Sequence, residues 1–154
     1  MEVVIEIPKV EDFKRVNELA RQVHKLHVNW RPDLFLDVEE IISKENFEEM
    51  IQEETILIAK CNNVIEGYVT FKILEKDNPS MRHRIVLSID AICVDESNRG
   101  NGIGTKLLEY LKYIGKEKGC TDMYLTVNEE NEGAIKLYEK FGFKIKSLAY
   151  SMQI

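Results

Sequence analysis

Three glycines within five residues separate a predicted strand from a predicted helix, and this segment constrains the fold more than any other. It reads Arg99-Gly100-Asn101-Gly102-Ile103-Gly104-Thr105 and follows an apolar run that ends at Val94. A loop at this position exposes free backbone N–H groups beside the positive end of the helix dipole. Glycine lets that backbone approach an anion, and Arg99 adds charge-assisted hydrogen bonds. The segment predicts a phosphate or pyrophosphate site, and a plain tight turn is the alternative interpretation.

Two common phosphate motifs do not fit this loop. A dinucleotide fingerprint would need glycine or alanine at position 105 or 107, where the chain has Thr105 and Leu107. A P-loop reads G-x-x-x-x-G-K-[ST], and Gly100 is followed five residues later by Thr105 instead of the second glycine. The pattern that fits is R-x-x-G-x-G.

Length and charge exclude several classes of protein. The 154 residues, 44% of them hydrophobic, suit one domain spanning residues 1–154. The 27 acidic residues outnumber the 21 basic ones, for a net charge of −6, which disfavours nucleic acid as a partner. No apolar stretch approaches the ~20 residues of a membrane span, and no secretory signal is visible. We therefore expect a cytoplasmic protein with no membrane partner.

The cysteines and histidines indicate neither a disulfide framework nor a metal site. Cys61, Cys93 and Cys120 are odd in number and contain no C-x-x-C pair, so three reduced thiols are expected. Cys93 lies in an apolar run, which favours a buried small hydrophobe over a nucleophile. His24 and His27 share a helix face but lack a third ligand, so no metal is expected.

Hydrophobic periodicity predicts an alternation of strands and helices. Helices are expected over about 10–27, 43–52, from the glycine loop to Gly119, and 131–140, where Gly142 provides the cap. Strands are expected near 3–7, over 55–60, 64–74 and 84–94, around 123–127, and over 143–154, with a hairpin turn at Asn62 and Asn63. The order β-α-α-β-β-β-α-β-α-β predicts an α+β (mixed α/β) fold with a mostly antiparallel sheet flanked by helices.

Two segments together resemble the GNAT superfamily of N-acetyltransferases. The loop from Arg99 to Gly104 is similar to that family's acyl-CoA pyrophosphate loop. The second segment, from Asn131 to Phe143, resembles the family's N-x-x-A-x-x-x-Y-x-x-x-G-F pattern through Asn131, Ala134, Tyr138 and Gly142-Phe143. The chain departs from a common form of the family at Ser97, where many members have proline after the acidic residue.

The resemblance implies acetyl-CoA as cosubstrate and assigns its contacts. Backbone N–H groups of Ile92, Cys93 and Val94 would bond the thioester carbonyl and the pantetheine arm. Asn131 would serve as a helix N-cap as well as a cofactor contact. We expect Gly102→Val or Gly104→Val to block anion approach and leave the fold mostly intact. The expected cofactor-binding residues are Ile92, Cys93, Val94, Arg99, Gly100, Asn101, Gly102, Ile103, Gly104, Thr105, Asn131, Ala134 and Tyr138.

Acetyl transfer to an amine needs a neutral amine, a stabilised oxyanion and a protonated thiolate leaving group. The resemblance puts the Tyr138 hydroxyl beside the CoA sulfur, so Tyr138 is the candidate acid. Asp90 is the candidate base, because it is a carboxylate in an apolar strand whose pKa partial burial would raise; capping or pairing with Arg84 is the alternative. Glu66 is the reserve base.

The sequence thus predicts an enzyme that acetylates an amine of a small molecule or of a peptide or protein. The alternatives are a catalytically silent acyl-CoA-binding module of the same fold and a general nucleotide-binding domain. Substrate contacts are expected from 29–36, which contains Trp30 and Phe35, and from 77–84, because loops carry selectivity on a rigid scaffold. Exposed strand edges at the C-terminal end are compatible with a homodimer, without indicating an interface.

Overall fold

Five strands form one sheet in sequence order in the computed structural model, which describes residues 2–154. The strands are β1 (Val4–Glu6), β2 (Ile56–Cys61), β3 (Val64–Lys76), β4 (Arg84–Val94) and β5 (Asp122–Tyr124). Neighbouring strands from β1 to β4 are antiparallel, and β5 runs parallel to β4. The helices are α1 (Phe13–Trp30), α2 (Lys44–Glu53), α3 (Ile103–Glu117) and α4 (Glu132–Phe141). The predicted mixed α/β architecture is confirmed.

Alternation along β2 explains why helices cover both faces of the sheet. Leu57 and Ala59 point to a core shared with α3 and α4, while Ile56 and Ile58 point to a second core shared with α1 and α2. Successive side chains of a strand face opposite sides, so a strand buried on both sides reads as a continuous apolar run. Within residues 2–154, no helix is long and apolar enough to cross a membrane.

The predicted hairpin turn between β2 and β3 is confirmed, and α2 begins at a cap that the sequence reasoning did not assign. Asn62 and Asn63 have φ angles of 52° and 64° and connect β2 to β3 in a two-residue hairpin. Asparagine adopts this left-handed region more readily than most residues do. Ser43 begins α2, because its hydroxyl accepts a hydrogen bond from the Asn46 N–H at 3.1 Å.

A β-bulge at Asp90 divides β4 into two parts. Thr70 of β3 pairs with Ala91 and Phe71 pairs with Ile89, so Asp90 has no partner across the ladder. β5 pairs with β4 only as far as Ser88. The side of β4 that faces β5 therefore has no strand partner after the bulge within residues 2–154.

Residues 143–154 form no strand, and this prediction is wrong. An extended strand was expected here, but none of the backbone groups of residues 144–154 hydrogen-bonds to a strand of the described chain. Period-2 patterning indicates an extended conformation, whereas a strand also needs a neighbouring edge. The fifth strand is likewise shorter than expected, because β4 diverges from it beyond Tyr124.

Candidate active site

The loop before α3 has the open backbone that an anion site requires. Gly100 and Gly102 have φ angles of +83° and +84°, which glycine adopts without strain. Gly102 begins α3 without any side-chain cap, and the first helical hydrogen bond runs from Lys106 N–H to Gly102 O at 3.0 Å. The N–H groups of residues 103–105 consequently have no acceptor in the part of the chain described. A Cβ atom added at Gly100 or Gly102 would meet nothing within 4 Å, so the outer surface of the loop is open.

Gly104, unlike Gly100 and Gly102, also packs against α4. A Cβ atom there would lie 2.9 Å from Cδ2 of Leu137, so Gly104 allows α3 and α4 to pack closely. A valine at Gly104 would therefore require the flexible end of the Leu137 side chain to shift, and the expectation that Gly104→Val leaves the fold mostly intact stays a prediction.

Arg99 is exposed and directs its charge toward solvent beside this loop. Its Nε donates to the Val94 carbonyl at 3.2 Å, which anchors the side chain to the end of β4. None of the carboxylates in residues 2–154 forms an ion pair with it. The guanidinium Nη atoms remain able to pair with an anion on the loop.

The unpaired side of β4 leads from the bulge to the loop. Asp95 N–H donates to Glu66 O of β3 at 2.8 Å. Because backbone groups alternate along a strand, the N–H groups of Ile92 and Val94 point the other way, toward the opening between β4 and β5. The backbone N–H and C=O groups of Cys93 point toward β3. Of the three residues proposed to contact the thioester and pantetheine arm, Ile92 and Val94 thus have suitably directed N–H groups, and Cys93 does not.

Asp95, which the sequence reasoning missed as a site residue, holds this region to α1. Its carboxylate is buried and accepts from Arg15 Nη2 at 2.8 Å, from Gln22 Nε2 at 3.3 Å, and from the N–H and hydroxyl of Ser97 at 2.9 and 2.5 Å. These hydrogen bonds, those from Ser97 first, hold the pKa of Asp95 well below its usual range. Gln22 also accepts from Glu96 N–H at 3.0 Å.

Tyr138 is buried on α4 at the edge of the first core. Its ring packs edge-on against Phe143, with 5.8 Å between the ring centroids. Burial, followed by the charge of a Cys93 thiolate, raises the pKa of Tyr138 to about 12. Its hydroxyl has no hydrogen-bond partner within residues 2–154, and it stays protonated at neutral pH.

Asn131 is confirmed as the N-cap of α4. Its Oδ1 accepts from Ala134 N–H at 3.2 Å, which accounts for both residues in the second motif without a ligand. The Nδ2 group of Asn131 has no acceptor in the described chain and can still donate to a ligand.

The structural basis proposed for Asp90 as a base is not observed. Asp90 is exposed at the bulge, with Lys72 Nζ 3.9 Å from its carboxylate, so partial burial is absent. The alternative pairing with Arg84 is also wrong, because Arg84 binds Asp122 at 2.8 Å. Glu66, the reserve candidate, is mostly buried and lies 3.7 Å from Arg15.

Cys93 behaves as a buried apolar residue. It is 4% exposed, and burial raises the pKa of its thiol to about 11, against smaller lowering effects from Tyr68 and Arg99. The thiolate needed for nucleophilic attack is therefore scarce at neutral pH.

The two segments predicted to contact the substrate, 29–36 and 77–84, lie in different parts of the structure. Phe35 packs with His27 at 5.2 Å between ring centroids, and Trp30 packs with His27 at 5.7 Å, so an aromatic cluster ends α1. Burial, followed by the charge of the neighbouring His24, lowers the pKa of His27, so its imidazole is neutral at neutral pH. Residues 77–83 connect β3 and β4 at the end of β4 that is opposite the glycine loop. The eleven residues of β4 separate this connection from the glycine loop by about 30 Å.

The acetyltransferase (GNAT) family model matches residues 20–143, which include the glycine loop, the open β4 edge and Tyr138. This chain belongs to the GNAT family. Among curated GNAT relatives, spermine/spermidine N(1)-acetyltransferase of Bacillus subtilis is 33% identical over 78 residues, covering 50% of this chain and 49% of that protein. N-alpha-acetyltransferase 50 of Danio rerio is 28% identical over 137 residues, covering 88% of this chain and 69% of that protein.

A solved structure shares this chain's fold along almost its whole length. A mutant of the BH1408 protein from Bacillus halodurans superposes with a TM-score of 0.94 at 27% identity, covering 98% of this chain and 99% of that one. This GNAT chain matches only 19% to 49% of the length of the first three curated relatives.

Proposed function

We propose that the chain is one N-acetyltransferase domain, spanning residues 1–154, that moves an acetyl group from acetyl-CoA to an amine. The observation that carries this proposal is the continuity of two sets of free N–H donors. One set lies on the glycine loop at the start of α3, and the other lies on β4 at Ile92 and Val94. A ligand with a diphosphate at one end and amides and a thioester along its arm suits both sets.

The residues present fit acetyl-CoA. Residues 100–105 and Arg99 would hold the diphosphate by backbone N–H donation and charge. Ile92 and Val94 would donate to the arm and to the thioester carbonyl, whose oxygen gains negative charge when the amine attacks. Acetyl-CoA supplies the activated acetyl group, and the Nδ2 group of Asn131 and the first turn of α4, including Ala134, would contact the cosubstrate from the other side of the opening.

Tyr138 acts in this proposal as a hydrogen-bond donor to the departing sulfur. A thiol has a reference pKa near 8.5, whereas that of Tyr138 is about 12. Full transfer of the tyrosine proton to the thiolate is therefore unfavourable, by about 5 kcal/mol for ~3.5 pKa units. A hydrogen bond that stabilises the developing thiolate needs no such transfer. The thiolate then takes up a proton from solvent, which replaces the proton that the amine released.

Asp90 is the proposed acceptor of the amine proton. The bulge leaves its carboxylate exposed at the middle of β4, where it can pass a proton to solvent.

The proposed acceptor of the acetyl group is an amine of a small molecule or of a peptide or protein. The net charge of −6 favours cationic amines over anionic ones, and the aromatic cluster of His27, Trp30 and Phe35 is the proposed wall of its pocket.

The proposal includes a cytoplasmic location and a homodimer. Cys61, Cys93 and Cys120 are free thiols, which suits a reducing compartment.

Thiol release from acetyl-CoA with a panel of amines tests the activity. The panel contains spermidine, glucosamine 6-phosphate, an aminoglycoside and a peptide with a free N-terminus. We expect amine-dependent thiol release, highest with a cationic acceptor, and an acetylated product by mass spectrometry. CoA binding without release for any amine would favour the silent module, and competition by ATP or NAD at similar concentration would favour a general nucleotide-binding domain.

Gly102→Ala should weaken CoA binding by 10-fold or more, because a methyl group on the loop keeps the anion from the backbone. Gly119→Ala is the matched control. Gly119 has a φ of +73° and open space around a built Cβ, like Gly102, but lies at the other end of α3. Both variants should lose about 1–2 kcal/mol of stability from the left-handed conformation. Equal CoA affinity in calorimetric titrations of the two variants would contradict the loop assignment.

Tyr138→Phe should lower kcat by roughly 10- to 10³-fold while CoA affinity holds, because the ring is kept and the hydroxyl is lost. Tyr113→Phe, on the exposed side of α3, is the control and should match the parent. A Tyr138→Phe enzyme with parental kcat would remove Tyr138 from the mechanism.

Asp90→Asn should lower the rate most near neutral pH and recover partly at high pH, where the amine loses its own proton. Asp77→Asn, an exposed carboxylate in the distant β3–β4 turn, is the control. A pH–rate profile for Asp90→Asn that runs parallel to that of the parent would exclude Asp90 as the base.

A further inference from the structure

Lys72 of β3 places an amine beside the proposed proton acceptor. Its Nζ lies 3.9 Å from a carboxylate oxygen of Asp90, and its side chain is 68% exposed. The two other lysine–carboxylate pairs within residues 2–154 join β2 to β1 and lie within α3. Lys72 is therefore the ion-paired lysine whose partner lies at the bulge of β4.

The register of the sheet explains how this side chain reaches the bulge. Lys72 pairs with Ser88 of β4, and Asp90 follows Ser88 by two residues, so Asp90 is a diagonal neighbour within reach of a long side chain. Phe71, the residue before Lys72, points to the core shared with α3 and α4. Successive side chains of a strand face opposite sides, so Lys72 lies on the face against which α1 and α2 pack.

This face is the acceptor side in the proposed function. The aromatic cluster proposed as the wall of the acceptor pocket belongs to the end of α1, whereas the glycine loop and α4 would hold CoA from the other face. Ile92, whose N–H would donate to the thioester carbonyl, follows Asp90 by two residues, about 7 Å along a strand. The flexible four-carbon stem of a lysine allows the Lys72 amine to turn from Asp90 toward the thioester.

We propose that the chain acetylates its own Lys72 when acetyl-CoA is bound and no other acceptor amine is present. The proposal rests on the proposed acetyltransferase function. The Lys72 ammonium gives one proton to Asp90, which passes it to solvent, and the neutral Nζ attacks the thioester carbon. A C–N bond forms, the C–S bond breaks, and the nitrogen loses a second proton as the amide forms. CoA leaves as a thiolate and takes up a proton from solvent.

The modification has a consequence for the choice of acceptor. Acetylation removes the charge of a lysine and its ability to form an ion pair. Asp90 would then lose the counter-ion that lies beside it and would be free to pair with a cationic acceptor amine. Self-acetylation of Lys72 would therefore increase the affinity for cationic acceptors.

Peptide mass spectrometry after incubation with acetyl-CoA alone tests the modification. We expect one acetyl group on Lys72, formed at a rate per chain that does not change with protein concentration, because the attack is intramolecular. Lys76 is the matched control for unassisted acetylation, since it is exposed on the same face of β3 four residues later. Asp90→Asn should slow the modification of Lys72 and leave that of Lys76 unchanged.

The same reactions with an added amine separate this proposal from the proposed function. With spermidine present, acetylated spermidine should form and the acetylation of Lys72 should decrease, because two amines compete for one thioester. Acetyl transfer to any added amine with Lys72 unmodified, or modified no faster than Lys76, would overturn the self-acetylation and leave the acetyltransferase function standing. The absence of both acetylated amine and modified Lys72 would overturn both.

Lys72→Gln tests the consequence for the acceptor, because it removes the same charge as acetylation does. Its KM for spermidine should fall by about 2- to 5-fold, the range expected for loss of an exposed ion pair that competes with the acceptor. Lys76→Gln, the control, should keep the parental KM. A parental KM in Lys72→Gln would overturn this role of the modification.

Discussion

One extra residue in β4 marks the point beyond which β5 no longer pairs with that strand. Before the bulge, Leu87 and Ile89 face the core of α3 and α4; after it, Ile92 and Val94 face that core, three residues on instead of two. The shift keeps apolar residues buried on both sides while turning the strand away from β5. The N–H groups freed on that side lie in line with the glycine loop.

Two opposing demands meet at the start of α3. The outer side of the loop must stay open to solvent, which Gly100 and Gly102 achieve with left-handed backbone and no neighbour within 4 Å of a built Cβ. The inner side must let α4 approach, which Gly104 achieves by leaving room for Leu137. The three evenly spaced glycines are therefore explained in two ways. Gly100 and Gly102 keep the outer surface of the loop open, whereas Gly104 makes room for the packing of α4.

Local chemistry could be predicted from the sequence, and long-range pairing could not. The hairpin at Asn62 and Asn63, the open glycine loop and the Asn131 cap depend on neighbours within a few residues, and all three are confirmed. The bulge is invisible in the pattern because Asp90 reads as a carboxylate within a continuous strand. Asp95 was missed because its partner Arg15 is 80 residues away. Residues 143–154 have the sequence of an extended segment, but a local pattern does not show whether a strand edge is available for pairing.

The hydrogen bonds around Asp95 have a thermodynamic consequence for the loop. Arg15 and Gln22 of α1 reach past the end of the sheet to hold the turn that leads into the glycine loop. The turn that leads into the glycine loop is thus held in place before any ligand binds. In the proposed function, this reduces the conformational entropy that the turn would lose when an anion binds the loop. Linkage would make the effect reciprocal, so a bound anion would stabilise the contacts of α1, a helix that would contribute to affinity without touching the ligand.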